Sequence, residues 1–87
     1  MEKKLIIENR YFAVSKDFQW VLSRISFYGE VEYHFMKDPK YFMPFTNKDE
    51  IDTFIQGLGY TIEYYIINSE NLHIIDGQFL IDKTNHG

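Results

Sequence analysis

The stretch SKDFQWVLSRISFYG, Ser15 to Gly29, decides which fold the chain is assigned. Ser15 and Asp17 offer the side-chain oxygens that cap a helix. Phe18, Val21, Leu22, Ile25 and Tyr28 then recur at helical spacing, and Gly29 stands where a helix would stop. The spacing predicts a helix over residues 16–28. Directly after it, Glu30 to Lys37 switches to period two, with Val31, Tyr33 and Phe35 opposed to Glu32, His34 and Met36, the pattern of a half-buried strand.

Upstream, the apolar run from Leu5 to Ser15 is broken by Glu8-Asn9-Arg10 and reads as one kinked strand or as two short ones. Downstream, DPKYFMPF, Asp38 to Phe45, sets three aromatics and a methionine between two prolines. Pro44 cannot donate a ladder hydrogen bond, so this segment reads as an edge strand or a tight loop. Thr46 with Asp49, or Asn47 with Glu50, supplies a capping oxygen and an acidic residue three positions on. Ile51, Phe54, Ile55 and Leu58 form one apolar stripe, which predicts a second helix near residues 47–58. Tyr60 to Ile67 is β-branched and aromatic, with Ile62, Tyr64 and Ile66 on one face and Glu63, Tyr65 and Ile67 on the other. Asn68 to Asn71 reads as a loop. Leu72–Ile75, Asp76-Gly77 and Gln78–Ile81 spell a hairpin, because Asp-Gly readily takes the positive φ angles of a type I′ turn.

These elements give an α+β expectation for a single domain over residues 1–87. Two helices pack on one face of an antiparallel sheet in β-α-β-β-α-β-like order, with a C-terminal β-hairpin added. An internal echo fits this order: Lys16-Asp17 leads towards Val31-Glu-Tyr-His-Phe35, and Lys48-Asp49 towards Ile62-Glu-Tyr-Tyr-Ile66. The layout is shared with RNA-recognition modules, whose third strand carries a basic-glycine-aromatic signature. Here that place reads Lys40-Tyr-Phe-Met-Pro-Phe45, without the glycine and with a proline inside, so the likeness stops at layout.

A hydrophobic fraction of 45% and an aromatic fraction of 18% exclude a disordered chain and suit a small core filled by large rings. The absence of cysteine excludes a disulfide framework and a thiolate zinc site, and points to a reducing compartment. No apolar run reaches the roughly 18 residues of a membrane span, and the N-terminal run is too short for a signal peptide. The expectation is a cytoplasmic protein that does not contact membrane. A net charge of −4 disfavours broad phosphate binding and fits a basic partner. Isoleucine, asparagine, lysine, phenylalanine and tyrosine dominate, while alanine occurs once, at Ala13; their codons are AT-rich, which points to a low-GC bacterium or its phages and plasmids.

No catalytic constellation stands out. His34 shares a strand face with Glu32, His73 lies in the C-terminal hairpin and His86 in the tail, without metal-ligand spacing. No Gly-x-Ser-x-Gly elbow occurs, and Gly57-Leu-Gly59 lacks the rest of a dinucleotide loop. Catalytic residues, metal and cofactor are therefore expected to be none. Period two leaves Glu32, His34, Met36, Glu63 and Tyr65 opposite the helix-facing residues, either covered by the hairpin or forming a protein-binding face. Tyr41 and Phe42, with Asp49, Glu50 and Asp52 in the first helical turn, form a second candidate patch; helix-dipole placement accounts equally for the acids. The functional expectation is a non-catalytic protein-binding module, of the kind found among inhibitors, immunity proteins and phage or mobile-element anti-host proteins. A small-molecule-sensing, dimeric regulatory domain is the alternative, ahead of a single-stranded nucleic-acid binder or an enzyme.

Overall fold

The computed structural model describes residues 9–59 and 61–82. Strands β1 (Tyr11–Ser15), β2 (Val21–Phe27) and β3 (Glu30–Met36) come first, followed by a 3₁₀ turn at Pro39–Tyr41 and helix α1 (Lys48–Gly57). Strand β4 (Tyr64–Asn68), a second 3₁₀ turn at Ser69–Asn71, β5 (Leu72–Ile75) and β6 (Gln78–Ile81) follow among the described residues. The four-stranded antiparallel sheet has the order β3-β2-β1-β4, and β5-β6 forms a separate two-stranded sheet.

The first expected helix is absent, and with it the two-helix, β-α-β-β-α-β arrangement; residues 16–28 form a loop and a strand. The oxygens that would cap a helix close a turn instead. The Phe18 amide donates to the Ser15 carbonyl, and the Asp17 carboxylate accepts from the Ser15 hydroxyl at 2.6 Å and the Gln19 amide at 3.1 Å. These bonds hold the Asp17 carboxyl below its usual value, the Ser15 bond contributing most. Gly29, read as a helix stop, is the second residue of a two-residue hairpin turn, with φ 51° at Tyr28 and 79° at Gly29. The internal echo has no structural counterpart, since Lys16-Asp17 enters a turn and Lys48-Asp49 enters α1.

Other elements follow the pattern more closely. Asn47 caps α1, accepting from the Glu50 amide at 2.9 Å and donating to its carboxylate at 3.0 Å. Asp76 and Gly77 take φ 53° and 75° in the expected turn between β5 and β6. Within the described residues the first strand begins at Tyr11; residues 5–8 of the expected run lie outside them. Strand β4 begins only at Tyr64; Thr61–Glu63 are irregular, and Tyr60 lies outside the described residues.

The segment Phe42–Phe45 is inserted into the sheet. Strands β1 and β2 meet only at Val14 and Val21, and beyond that pair they splay apart. Into the gap comes Phe42–Phe45, with Phe45 exchanging two 2.8 Å backbone bonds with Tyr11 and the Met43 amide donating to the Leu22 carbonyl at 3.1 Å. Pro44, which cannot donate, stands between those contacts.

Two apolar clusters sandwich the sheet. Ala13, Leu22, Phe45, Ile51 and Ile55 form the one beneath α1, with Tyr33, Phe35, Phe54, Tyr64 and Ile66 at its margin. Phe12, Val14, Val21, Phe42, Ile67, Leu72 and Ile81 form the other, beneath the β5-β6 hairpin.

Candidate functional site

The alternation of β3 is as the sequence predicts. Tyr33 and Phe35 join the α1 cluster, while Glu32, His34 and Met36 face the opposite way. That side of β3 is wet: the His34 Nε2 and Glu32 Oε1 atoms lie 2.8 Å apart, both side chains about half exposed. On β4 the same parity sends Tyr64 and Ile66 towards α1 and Tyr65 away from it.

Register places Met36, Val21, Val14 and Tyr65 in one row across the sheet. The two valines in the middle are fully buried beneath the β5-β6 hairpin. The five candidate residues are therefore split. Glu32, His34 and Met36 line one edge, and Tyr65 lies three strand spacings away, about 14 Å. Its ring stacks on Phe18 at 5.1 Å and 10°, with Lys16 Nζ 3.8 Å from its centroid. Glu63 is exposed in the irregular segment before β4.

The second candidate patch divides likewise. Phe42 is buried on the hairpin side, edge-on to Phe12 and Phe79, whereas Asp49, Glu50 and Asp52 lie on α1 across the sheet. Glu50 serves the Asn47 cap, and Asp52 accepts a short hydrogen bond from the Tyr64 hydroxyl. Burial first, and then this carboxylate, push the Tyr64 phenol up to about 12. Tyr41 is half-buried, with Lys40 Nζ 5.1 Å from its ring centroid. A shallow recess of about 410 Å³ beside the start of α1 is lined by Phe45, Asn47, Asp49, Glu50, Thr53 and Phe54.

A different feature escaped the sequence reading. Past the Ser23–Phe42 bridge, the rest of β2 pairs only with β3 among the described residues, so the two strands continue as an arm. At its tip Tyr28 is fully exposed, with Phe27 edge-on to it at 6.4 Å and Val31 also in solvent. A tyrosine at φ 51° is held where asparagine or glycine normally sits, with no burial of the residue to offset the strain. Tyr-Gly directly ahead of the period-two run Glu30–Met36 was the available signal, obscured by the helical spacing before it.

One further recess, of about 400 Å³, lies between the β1-β2 loop and the β5-β6 hairpin, lined by Phe18, Gln19, Lys37, Gln78, Phe79 and Leu80 among others. Lys37 Nζ at its border also lies 4.6 Å from the Trp20 ring centroid. Among the described residues no group of three potential metal ligands converges, and no helix is long and apolar enough to cross a membrane. His73 is exposed on β5, and His86 lies outside the described residues. No protein-family model matches the chain, and no curated protein or solved structure shows significant similarity to it.

Proposed function

We propose that the chain is a non-catalytic protein-binding module whose contact element is the arm formed by β2 and β3. The observation that carries this reading is Tyr28, a large aromatic held fully in solvent in a strained conformation at a projecting turn. Strain without a packing return is a feature of sites kept for binding, and aromatic side chains supply much of the energy of protein interfaces. Phe27 and Val31 add apolar area beside it, and Glu30 and Glu32 add negative charge. The matching partner is a protein with an apolar cleft and a basic rim. An inhibitor or immunity role is one form such binding takes, and the chain's acidity supports that class.

The test compares immobilised wild-type protein with Tyr28→Ala and Phe27→Ala as baits in extract from a low-GC bacterium, followed by titration of any purified partner. A partner that binds wild type and loses at least tenfold in affinity to Tyr28→Ala supports the arm. Equal affinity for all three would remove it as the contact element.

The recess between the β1-β2 loop and the hairpin favours a second reading, a small-molecule-sensing domain. Two rings, two amides and a lysine around about 400 Å³ suit a flat, anionic ligand. Retention of such a molecule through native purification, and its loss in Lys37→Ala, distinguishes this reading from the first.

A further inference from the structure

β3 is an outer strand of the sheet, and among the described residues nothing pairs with its free edge. It runs for seven residues in unbroken register with β2, without a bulge. It contains no proline and no lysine, two of the devices that commonly blunt such an edge. The two-residue turn determines which backbone groups it offers. Phe27 and Glu30 flank that turn and exchange both ladder bonds, as does every second pair beyond them. Glu30, Glu32, His34 and Met36 thus direct their N–H and C=O groups to β2, while Val31, Tyr33 and Phe35 turn theirs outward. The Leu22 carbonyl agrees: Leu22 stands opposite Phe35, and its carbonyl points away from β3 to accept from Met43.

We propose that this edge pairs with the same edge of a second copy, antiparallel about a two-fold axis through Tyr33, joining the two sheets into one. The sequence of β3 is self-complementary in that register alone. Tyr33 meets itself, Val31 lies opposite Phe35, and Glu32 lies opposite His34 of the second copy. Every outward N–H and C=O of Val31, Tyr33 and Phe35 then finds a partner. Glu32 and His34 fall at positions without outward bonds, where facing side chains approach most closely. Shifting the axis to Glu32 sets two carboxylates against each other, which is unfavourable. Shifting it to His34 sets the imidazoles together and leaves Glu32 facing Met36. The 2.8 Å contact between Glu32 and His34 within one chain shows that these side chains share a face and are positioned to extend into an alternating cluster of four. Such an isologous contact closes on itself and leaves the two arms pointing in opposite directions.

Because the chain has no native cysteine, register can be read by disulfide trapping. Glu32→Cys and His34→Cys are oxidised separately and as a mixture, alongside sedimentation of wild type and Val31→Lys across micromolar to millimolar concentration. The expected result is a disulfide-linked dimer formed many times faster in the mixture than in either variant alone. The mixed dimer retains one native Glu–His pair. Wild type is expected to associate with concentration, and Val31→Lys to dissociate at least tenfold more readily while keeping the wild-type circular dichroism spectrum. Self-linking of either single variant as fast as the mixture would overturn the register. A wild-type sedimentation coefficient that stays at the monomer value up to millimolar concentration would overturn the dimer.

Discussion

Phe42 stands edge-on to Phe79, ring centroids 5.1 Å apart and planes at 79°. This contact ties the segment inserted between β1 and β2 to the β5-β6 hairpin, which shares no ladder with the larger sheet among the described residues. Phe79→Ala is expected to cost about 1.5–3 kcal/mol, since its ring is only partly buried. Phe42→Ala, at the junction of sheet and hairpin, should cost about 3–5 kcal/mol. Denaturant titration gives both values. Hydrogen exchange in Phe79→Ala should quicken across residues 72–81 and remain slow in β1; equal acceleration in both would show that the hairpin does not open separately.

Tyr28→Asn should raise stability by about 0.5–1 kcal/mol, because asparagine tolerates positive φ and the tyrosine ring contributes no burial. The same change should weaken partner binding. A lower melting temperature in Tyr28→Asn would mean that Tyr28 packs within its own chain in solution.

Tyr64 links alkaline stability first to the burial of its phenol and then to its bond with Asp52. Its folded pKa, about 12, lies above the ordinary 10.0, so folding favours the protonated phenol. The contribution is complete below pH 10 and is lost as pH rises from there through 12. Spectrophotometric titration at alkaline pH should show one tyrosine ionising last, and Tyr64→Phe should flatten the alkaline loss of stability. An unchanged alkaline limb in Tyr64→Phe would assign that loss to another group.

Single-stranded RNA or DNA should show no measurable binding at physiological salt. Phe42 is buried, so the aromatics of residues 41–45 do not form an open stacking row, and the chain is acidic. Fluorescence anisotropy with labelled oligonucleotides checks this; micromolar binding that falls steeply with salt would contradict it.

Where one face of an element is covered and the other is wet, its sequence period is readable. That holds for β3, α1 and the parity of β4, and the Asp-Gly turn was equally legible. It fails for β2, where Val21, Leu22 and Ser23 are all buried because α1 covers one face and the hairpin the other. A strand covered twice loses its alternation, and Phe18, Val21, Leu22, Ile25 and Tyr28 then imitate a helical stripe. The split of Tyr65 from Glu32, His34 and Met36 was also hidden. Parity identifies a face, whereas the position of a hairpin joined only by side-chain packing depends on contacts distant in sequence. The insertion of Phe42–Phe45 was illegible for the same reason, since its partners Tyr11 and Leu22 precede it by more than one element.

That insertion also bears on the order in which the chain is assembled during synthesis. β2 and β3 are joined by a two-residue turn and form from adjacent chain. β1 is synthesised before them, yet one edge awaits Phe45 and the other awaits β4, whose last residue is Asn68. Until the β5-β6 hairpin leaves the ribosome, Phe12 and Val14, each fully buried in the finished fold, remain without their cover. Closing such distant pairings is slow, and uncovered strands of this kind are vulnerable to aggregation. β1, the earliest strand among the described residues, is thus among the last to be secured, and its shielding depends on residues 64–81.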